Sequence, residues 1–442
     1  MSGIATRFGM AAGLAGLLLV AACGGGGGAT ETPGTGQSAA APAPAEKVEL
    51  TYWHFIDQTK MVEKWNQTHP DVQVTYESLP SDTYFTKLQA AVKAGTAPDV
   101  ALVEYQMMNT MIAADALEDI SAHVPADLGG RFPAWAWQQS TQAEKVYGVP
   151  QDIAPMGMYY RADVFSKHKI EVPKTWEEYA AAAEKLHRAD PKVRMAVFSP
   201  QQAGQWAGLT WQNGAKWYTP ESEAWKVTLN DDRSKQVADL WQRMLTSGAV
   251  ADGADFSPEW VKGLTDGTIA TWIAPSWAQS YIKGSMKKAE GTFKVAPMPQ
   301  WADGQSAAGN WGGSALSVPK GSKHAKQAAE FITWLNTDPD AVNLAIDTNG
   351  IFPALVSGQS SPAFTKEDAF FGGQKTQEVF LAAQQGVDPD FTWGPNMTTV
   401  FAMFKDEFGK AVNGQGTLSD ALDRVQARAV EDMRKQGFPV AG

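Results

Sequence analysis

The chain has almost no cysteine: one in 442 residues, Cys23. No disulfide can form within it, so the folded part rests on burial and hydrogen bonding. Histidine is scarce too. Six are scattered singly, with no H-E-x-x-H pair and no cysteine ligands beyond Cys23. That argues against zinc, and neither a metal nor a cofactor is expected. Positive charge is in deficit: 37 Lys and Arg stand against 48 Asp and Glu, a formal net charge of −11. Nucleic acid is therefore not an expected partner, because neutralising phosphates needs clustered Lys and Arg. Neither G-x-S-x-G nor a P-loop occurs. Long apolar runs are missing as well. The run Phe8 to Ala22 is too short to span a bilayer as a stable helix, and no later segment has the length and apolarity to do so.

What the chain does have is tryptophan, 17 against 10 tyrosines. Trp is large and flat with one donor at its edge. Most such rings fill cores, and the remainder suit stacking platforms. Hydrophobic residues at 44% and charged residues at 19% are ordinary for a soluble globular protein. At 442 residues the chain is too long for one compact core and long enough for two lobes.

Arg7 is the only charge in the first thirty residues. The apolar run after it has the length of a signal-peptide core and ends Val20-Ala21-Ala22-Cys23. Small residues before a cysteine let a signal peptidase bind an extended backbone, and the thiol is the natural site for a thioether-linked lipid. The segment closely resembles a bacterial lipobox; the alternative is an ordinary signal peptide with an incidental cysteine. Gly24 to Gly28 follow, then Thr, Pro, Ala and Ser to about Ala45, a composition that cannot bury apolar surface. The expectation is a lipoprotein signal peptide over 1–22 and a disordered, lipid-anchored linker over 23–46. A diacylglyceryl group carries two acyl chains, enough for stable anchoring. Everything from about Lys47 onward is expected outside the cytoplasm, tethered to the cell membrane.

Val48 to Trp53 alternates and is β-branched or aromatic, so it predicts a strand. Apolar spacing predicts a helix over Thr59 to Gln67, a strand over Val72 to Tyr76 and a helix over Asp82 to Ala94 capped by Gly95. A third strand is expected over Pro98 to Val103. This alternation predicts a parallel-type α/β lobe, with ligand at the carboxyl ends of the strands. Those ends are Trp53-His54 and Glu104-Tyr105-Gln106. Met156 to Tyr160 predicts a further extended crossing, and Thr175 with Glu178 a capping box opening a helix to about Arg188. Later helices are expected near Ser234 to Thr246, Ala325 to Leu335, Val400 to Asn413 and Leu418 to Lys435. The run Ile269 to Ala274 predicts a buried strand broken by Pro275 and Ser276.

Five segments occur in a familiar order: Trp65-Asn66 through His69-Pro70-Asp71-Val72; Gly95-Thr96-Ala97-Pro98-Asp99-Val100; Tyr159-Tyr160-Arg161 with Pro173 to Tyr179; Gly267 to Ala270 leading to Pro275-Ser276-Trp277; and Gly312-Gly313 through Val318 and His324 to Phe331-Ile332-Thr333-Trp334-Leu335. Together they resemble the maltose-binding-like family of solute-binding proteins that serve ATP-driven (ABC) importers, over nearly the whole chain after the linker. The resemblance implies an α/β, two-lobed periplasmic-binding-protein-like fold, each lobe a β-sheet flanked by helices, with a hinge and an interlobe cleft. It implies chain crossings near Ile153 to Met158 and Pro297 to Ala308, with return after about Gly350. Lobe 1 is then 47–155 and 300–350, and lobe 2 is 156–299 and 351–442. The implied protein is a monomer, not an enzyme. Its partners are a carbohydrate, the permease subunits, and the membrane through its lipid.

A sugar offers an apolar face of C–H groups and a rim of hydroxyls, so aromatic rings suit the face and carboxylates and amides the rim. The candidate ligand-binding residues are Trp53, His54, Glu104, Gln106, Asp152, Trp206, Trp277, Asn310, Trp311 and Trp393. Trp277 is the foremost platform, placed just past a strand end where the family has an aromatic. Trp211 and Trp272 are expected in the core, and Gly312 and Gly313 to serve backbone geometry. The number of rings favours a disaccharide or short oligosaccharide. One alternative is another polar solute on the same scaffold, such as a glycerophosphodiester or a polyamine. The other is a secreted glycoside hydrolase, which needs two carboxylates across the scissile bond; no motif selects such a pair.

Overall fold

In the computed structural model, which describes residues 47–441, the alternating segment Val48–His54 forms strand β1. Leu50, Tyr52 and His54 are buried and Thr51 is exposed, the period-2 pattern of a strand with unequal faces. Val72–Ser78 (β2) and Val100–Glu104 (β3) pair with β1 in parallel, joined to it through helices Thr59–Thr68 and Tyr84–Ala94. The second helix stops at Gly95, whose φ of 68° lets its N–H reach the carbonyls of Ala91 and Val92. The expectations for the signal peptide, Cys23 and the linker lie outside the described residues.

The sheet is not parallel throughout. Val149–Asp152 (β4) and the late strand Ser314–Ser317 (β10) complete a five-stranded sheet in the order β2-β1-β3-β10-β4, and β10 runs antiparallel to both of its neighbours. A parallel neighbour needs a right-handed crossover on the same sheet. β10 returns from a second sheet instead and is free of that rule.

The second sheet is centred on Met156–Arg161 (β5). Thr271–Pro275 (β8) and Phe293–Pro297 (β9) pair antiparallel on either side of it. Ala196–Phe198 (β6) and Val250–Asp252 (β7) form a parallel pair. Hydrogen bonds from Ala270 N to Arg194 O (2.9 Å) and Thr271 N to Met195 O (2.8 Å) knit the two pieces together. Pro275 does not break β8 but ends it, opposite Met156. A proline is tolerated there because a strand's last residue can lack an N–H without costing the ladder a bond.

The helical expectations hold at these places for local reasons. Thr175 and Glu178 exchange both capping-box bonds at the start of helix Trp176–Ala189. Helix Leu418–Lys435 starts with a second such box, Thr417 with Asp420, and packs on helix Met397–Val412. Between those two helices Glu407, 3% exposed, is held by Lys410, Arg424 and Arg428. Among the described residues no helix is long and apolar enough to cross a membrane.

The two sheets frame two lobes of an α/β fold, and the chain crosses between them at segments bonded to one another. Ile153 N donates to Phe352 O (3.0 Å), Met156 N to Gly309 O (2.9 Å) and Trp311 N to Ala154 O (3.1 Å). Asn310, 1% exposed, accepts from Ala154 N at 3.0 Å and donates to Gly312 O at 2.8 Å. Gly309 is required by proximity: a Cβ there would lie 1.9 Å from Gly208 O. On the other flank, Asn109 Nδ2 donates to Trp393 O (2.7 Å) and Met397 N to Thr110 Oγ1 (3.2 Å).

Candidate functional site

The carboxyl ends of β3 and β4 flank the start of the antiparallel β10, and the residues there form a row. Ser314 of β10 is the register partner of Glu104 on β3 and of Asp152 on β4. Register partners in adjacent strands point to the same side of a sheet, so the two carboxylates flank one hydroxyl. Ser314 donates that hydroxyl to Asp152 Oδ1 at 2.5 Å. Burial raises both acids, Glu104 to about 7 and Asp152 to about 6, and the neighbouring Asp152 charge pushes Glu104 further up. Neither acid is in an ion pair among the described residues. Gln106, in the first turn of helix Tyr105–Ala113, donates to Glu104 Oε2 at 3.1 Å, while its own Oε1 is buried without a partner. The row is rich in acceptors and short of donors.

Aromatic rings stand on the other side. The glycine pair Gly312 (φ 92°) and Gly313 (φ 81°) turns the segment leading into β10 through the left-handed region. A Cβ on Gly312 would lie 3.2 Å from Trp277 Nε1, and one on Gly313 2.8 Å from Tyr105 Cε2. Trp277 follows β8 and donates its Nε1–H to Trp311 O at 3.0 Å. That bond fixes the indole by its edge and commits none of its faces. Trp277 and Trp311 meet nearly edge to face, centroids 5.2 Å apart at 73°. Trp272 packs on both, at 6.0 and 6.3 Å. Gly204, in helix Ala203–Gln212 of the second lobe, is where the groups converge: a Cβ there would lie 2.6 Å from Trp311 Nε1 and 3.4 Å from Gln106 Oε1.

The structure thus brings together Glu104, Gln106, Asp152, Trp277 and Trp311, with Asn310 bracing the crossing beneath them. The other candidates stand elsewhere. His54 is fully buried; its Nδ1 accepts from Ile56 N (2.8 Å), so Nε2–H donates to Gln151 Oε1 (3.1 Å). Burial lowers its pKa to about 4, which keeps it neutral. Trp53 is half-buried on the opposite face of β1, its carbonyl accepting from Tyr84 Oη at 3.0 Å. Trp206 is 2% exposed and packs edge-on against Phe408 at 4.9 Å. Trp393, 2% exposed, lies 5.0 Å from Phe391 and 6.2 Å from Trp211.

Sequence reasoning passed over Ser314, whose role depends on β10 returning between β3 and β4. It also passed over the loop Asp255-Phe256 after β7. There both Asp255 oxygens are buried without partners, and Phe256, 37% exposed, has a φ of 65°. The turn-rich run Asp252-Gly253-Ala254-Asp255 after a short strand was the one available signal. Among the described residues, no group of three or more His, Cys, Asp or Glu is placed to hold a metal ion.

Comparison with known proteins adds an independent line. The family model described as "Bacterial extracellular solute-binding protein" matches residues 56–342. The arabinooligosaccharide-binding protein of Bacillus subtilis (strain 168) is 24% identical over 403 residues, 86% of this chain and 91% of that protein. Among solved structures, the galacto-N-biose-/lacto-N-biose I-binding protein of the ABC transporter from Bifidobacterium longum, in complex with lacto-N-biose, superposes with a TM-score of 0.81 at 29% identity, covering 90% of this chain and 99% of that one. The ABC transporter associated binding protein from B. animalis subsp. lactis Bl-04, in complex with beta-1,6-galactobiose, gives 0.79 at 26%, covering 90% and 100%.

Proposed function

Because the chain belongs to the bacterial extracellular solute-binding protein family, we propose that it is the extracytoplasmic component of an ABC importer that binds a carbohydrate and hands it to the membrane permease. The observation that carries this reading is the pairing of Trp277 and Trp311 with the acceptor row Glu104, Ser314 and Asp152. An indole face suits the C–H face of a sugar, and carboxylates free of ion pairs and an orphaned amide oxygen suit its hydroxyls. A phosphodiester would meet two acids and no cation. The ligand is a disaccharide or short oligosaccharide, consistent with lacto-N-biose and beta-1,6-galactobiose in the similar structures. Glu104, Gln106, Asp152, Trp277 and Trp311 hold it; Trp53, His54, Trp206, Asn310 and Trp393 support the site. The protein binds without turnover.

In this reading lobe 1 is 47–155 with 300–350 and lobe 2 is 156–299 with 351–442. Ligand closes them, because each gains contacts only when both touch the solute. Cys23 carries the lipid, and Cys23→Ala releases the protein from the membrane fraction. A thermal-shift panel tests the main claim, since a ligand bound only by the native state raises the melting temperature. Disaccharides are expected to raise it, with the sugar recovered unchanged. A response confined to a glycerophosphodiester or a polyamine, or hydrolysis of the sugar, overturns the reading.

A further inference from the structure

The loop that follows β7 holds a carboxylate that no described residue answers. Both Asp255 oxygens are buried, and neither has a hydrogen-bond partner among the described residues. Burial alone raises its pKa to about 7; no neighbouring charge or donor contributes. A carboxylate enclosed without partners is costly, and native structures retain few such groups without a use.

Its neighbour is held at a cost as well. Phe256 has a φ of 65°, a region that a bulky L side chain rarely occupies. Strained backbone of this kind clusters at ligand-binding sites, where the surrounding structure enforces it. Here it turns an aromatic ring outward, 37% exposed, while the adjoining carboxylate stays covered.

The loop's position joins it to the site already described. Asp255 N lies 3.5 Å from Ser199 Oγ, one residue past the end of β6. The loop therefore sits where the parallel strands β6 and β7 reach their carboxyl ends, the end of an α/β sheet at which ligands bind. The Phe256 ring meets Trp272 edge-on at 5.8 Å and Tyr281 at 5.0 Å. Trp272 is the ring that packs on both Trp277 and Trp311.

We propose that Asp255 is a specificity-determining residue of the second lobe, accepting hydrogen bonds from hydroxyls of a sugar ring that extends from the Trp277–Trp311 pair towards Phe256. This rests on the carbohydrate reading and deepens it. A ring with hydroxyls facing the carboxylate satisfies it, and a deoxy ring leaves it buried and unpaired. That asymmetry makes a site selective, because the missing donor costs more than the contact itself.

The test uses the full-length protein and the disaccharide giving the largest thermal shift, titrated calorimetrically against wild type, Asp255→Asn and Phe256→Leu. Asp255→Asn keeps the shape and removes the charge. It is expected to weaken binding by roughly ten-fold or more, the range of a charge-assisted hydrogen bond, with no loss in the ligand-free melting temperature at pH 8. Phe256→Leu is expected to weaken the same sugar less. Sugar binding near pH 7 is expected to release protons from wild type and fewer from Asp255→Asn, because hydroxyl donors favour the ionised acid. If Asp255→Asn binds the sugar as wild type does, the inference falls and the carbohydrate reading stands. If wild type binds no sugar in the panel, both fall.

Discussion

Two clusters of aromatic rings, each drawn from distant parts of the sequence, differ in what surrounds them. In the first, Trp211 stacks on Phe391 at 4.2 Å and 10°, Trp217 stacks on Phe404 at 5.1 Å, and Trp393 closes the group. Trp211, Trp217, Phe391 and Trp393 are all 2% exposed or less. In the second, Trp272, Trp277 and Trp311 pack edge to face. Their rim keeps an exposed side at Phe256 and an unanswered carboxylate at Asp255. Both are built on three Trp. The difference is closure: the rings of the first group are almost fully covered, whereas the second abuts chain crossings and strand ends and includes the part-exposed Trp277.

The sharpest way to break this comparison is to truncate one ring from each cluster. Trp217→Ala is expected to cost about 3–5 kcal/mol of folding stability, as for other buried Trp, with sugar affinity little changed. Denaturant unfolding measures the first and calorimetry the second; an affinity loss as large as the stability loss would merge the two clusters. Trp277→Ala is expected to behave in the opposite sense. Affinity falls roughly ten- to a hundred-fold, about 1.4–2.8 kcal/mol, and the ligand-free protein loses less stability than Trp217→Ala does.

The acidic row beside the second cluster gives a pH signature that the first cluster lacks. Glu104 has its pKa raised by burial from 4.5 to about 7, and Asp152 from 3.8 to about 6. The native state therefore binds more protons than the unfolded state over that window. The stability contribution is full below the unfolded values and is lost as pH rises through 6 to 7. Glu104→Gln is expected to flatten the fall in melting temperature between pH 5 and 8, an effect of order 1 kcal/mol. A variant as pH-sensitive as wild type would clear Glu104 of that role. Smallest is the change at Gly204, where a Cβ would press on Trp311 Nε1 at 2.6 Å. Gly204→Ala is expected to move that ring and weaken sugar binding by about five-fold, roughly 1 kcal/mol; unchanged affinity would mean that Trp311 tolerates displacement.

Much of the frame was legible without coordinates. The period-2 pattern of Val48 to Trp53, the Gly95 cap and the Thr175–Glu178 box are local, and each appears where spacing placed it. The position of Trp277 was legible for a related reason: a short apolar strand ends just before it, and an element's end is a local property. Harder to read were residues whose role depends on a distant partner. His54 looked available at a strand end, yet it bonds Gln151, 97 residues on. Trp311 and Trp393 both lie in loops near glycines. Trp311 packs on Trp277 beside the acidic row and Trp393 on Phe391.

The sequence by itself determined the elements, their order and the kind of chemistry the chain can present, because helix period, strand alternation and capping are set by neighbours within a few residues. Only the tertiary structure decided which acids stay unpaired and which rings stay part-exposed. Those outcomes depend on β10 returning between β3 and β4 and on helix Ala203–Gln212 meeting the crossing at Gly204 and Gly309. Burial and pairing are sums over contacts from remote parts of the chain, and no local pattern of residues carries that sum.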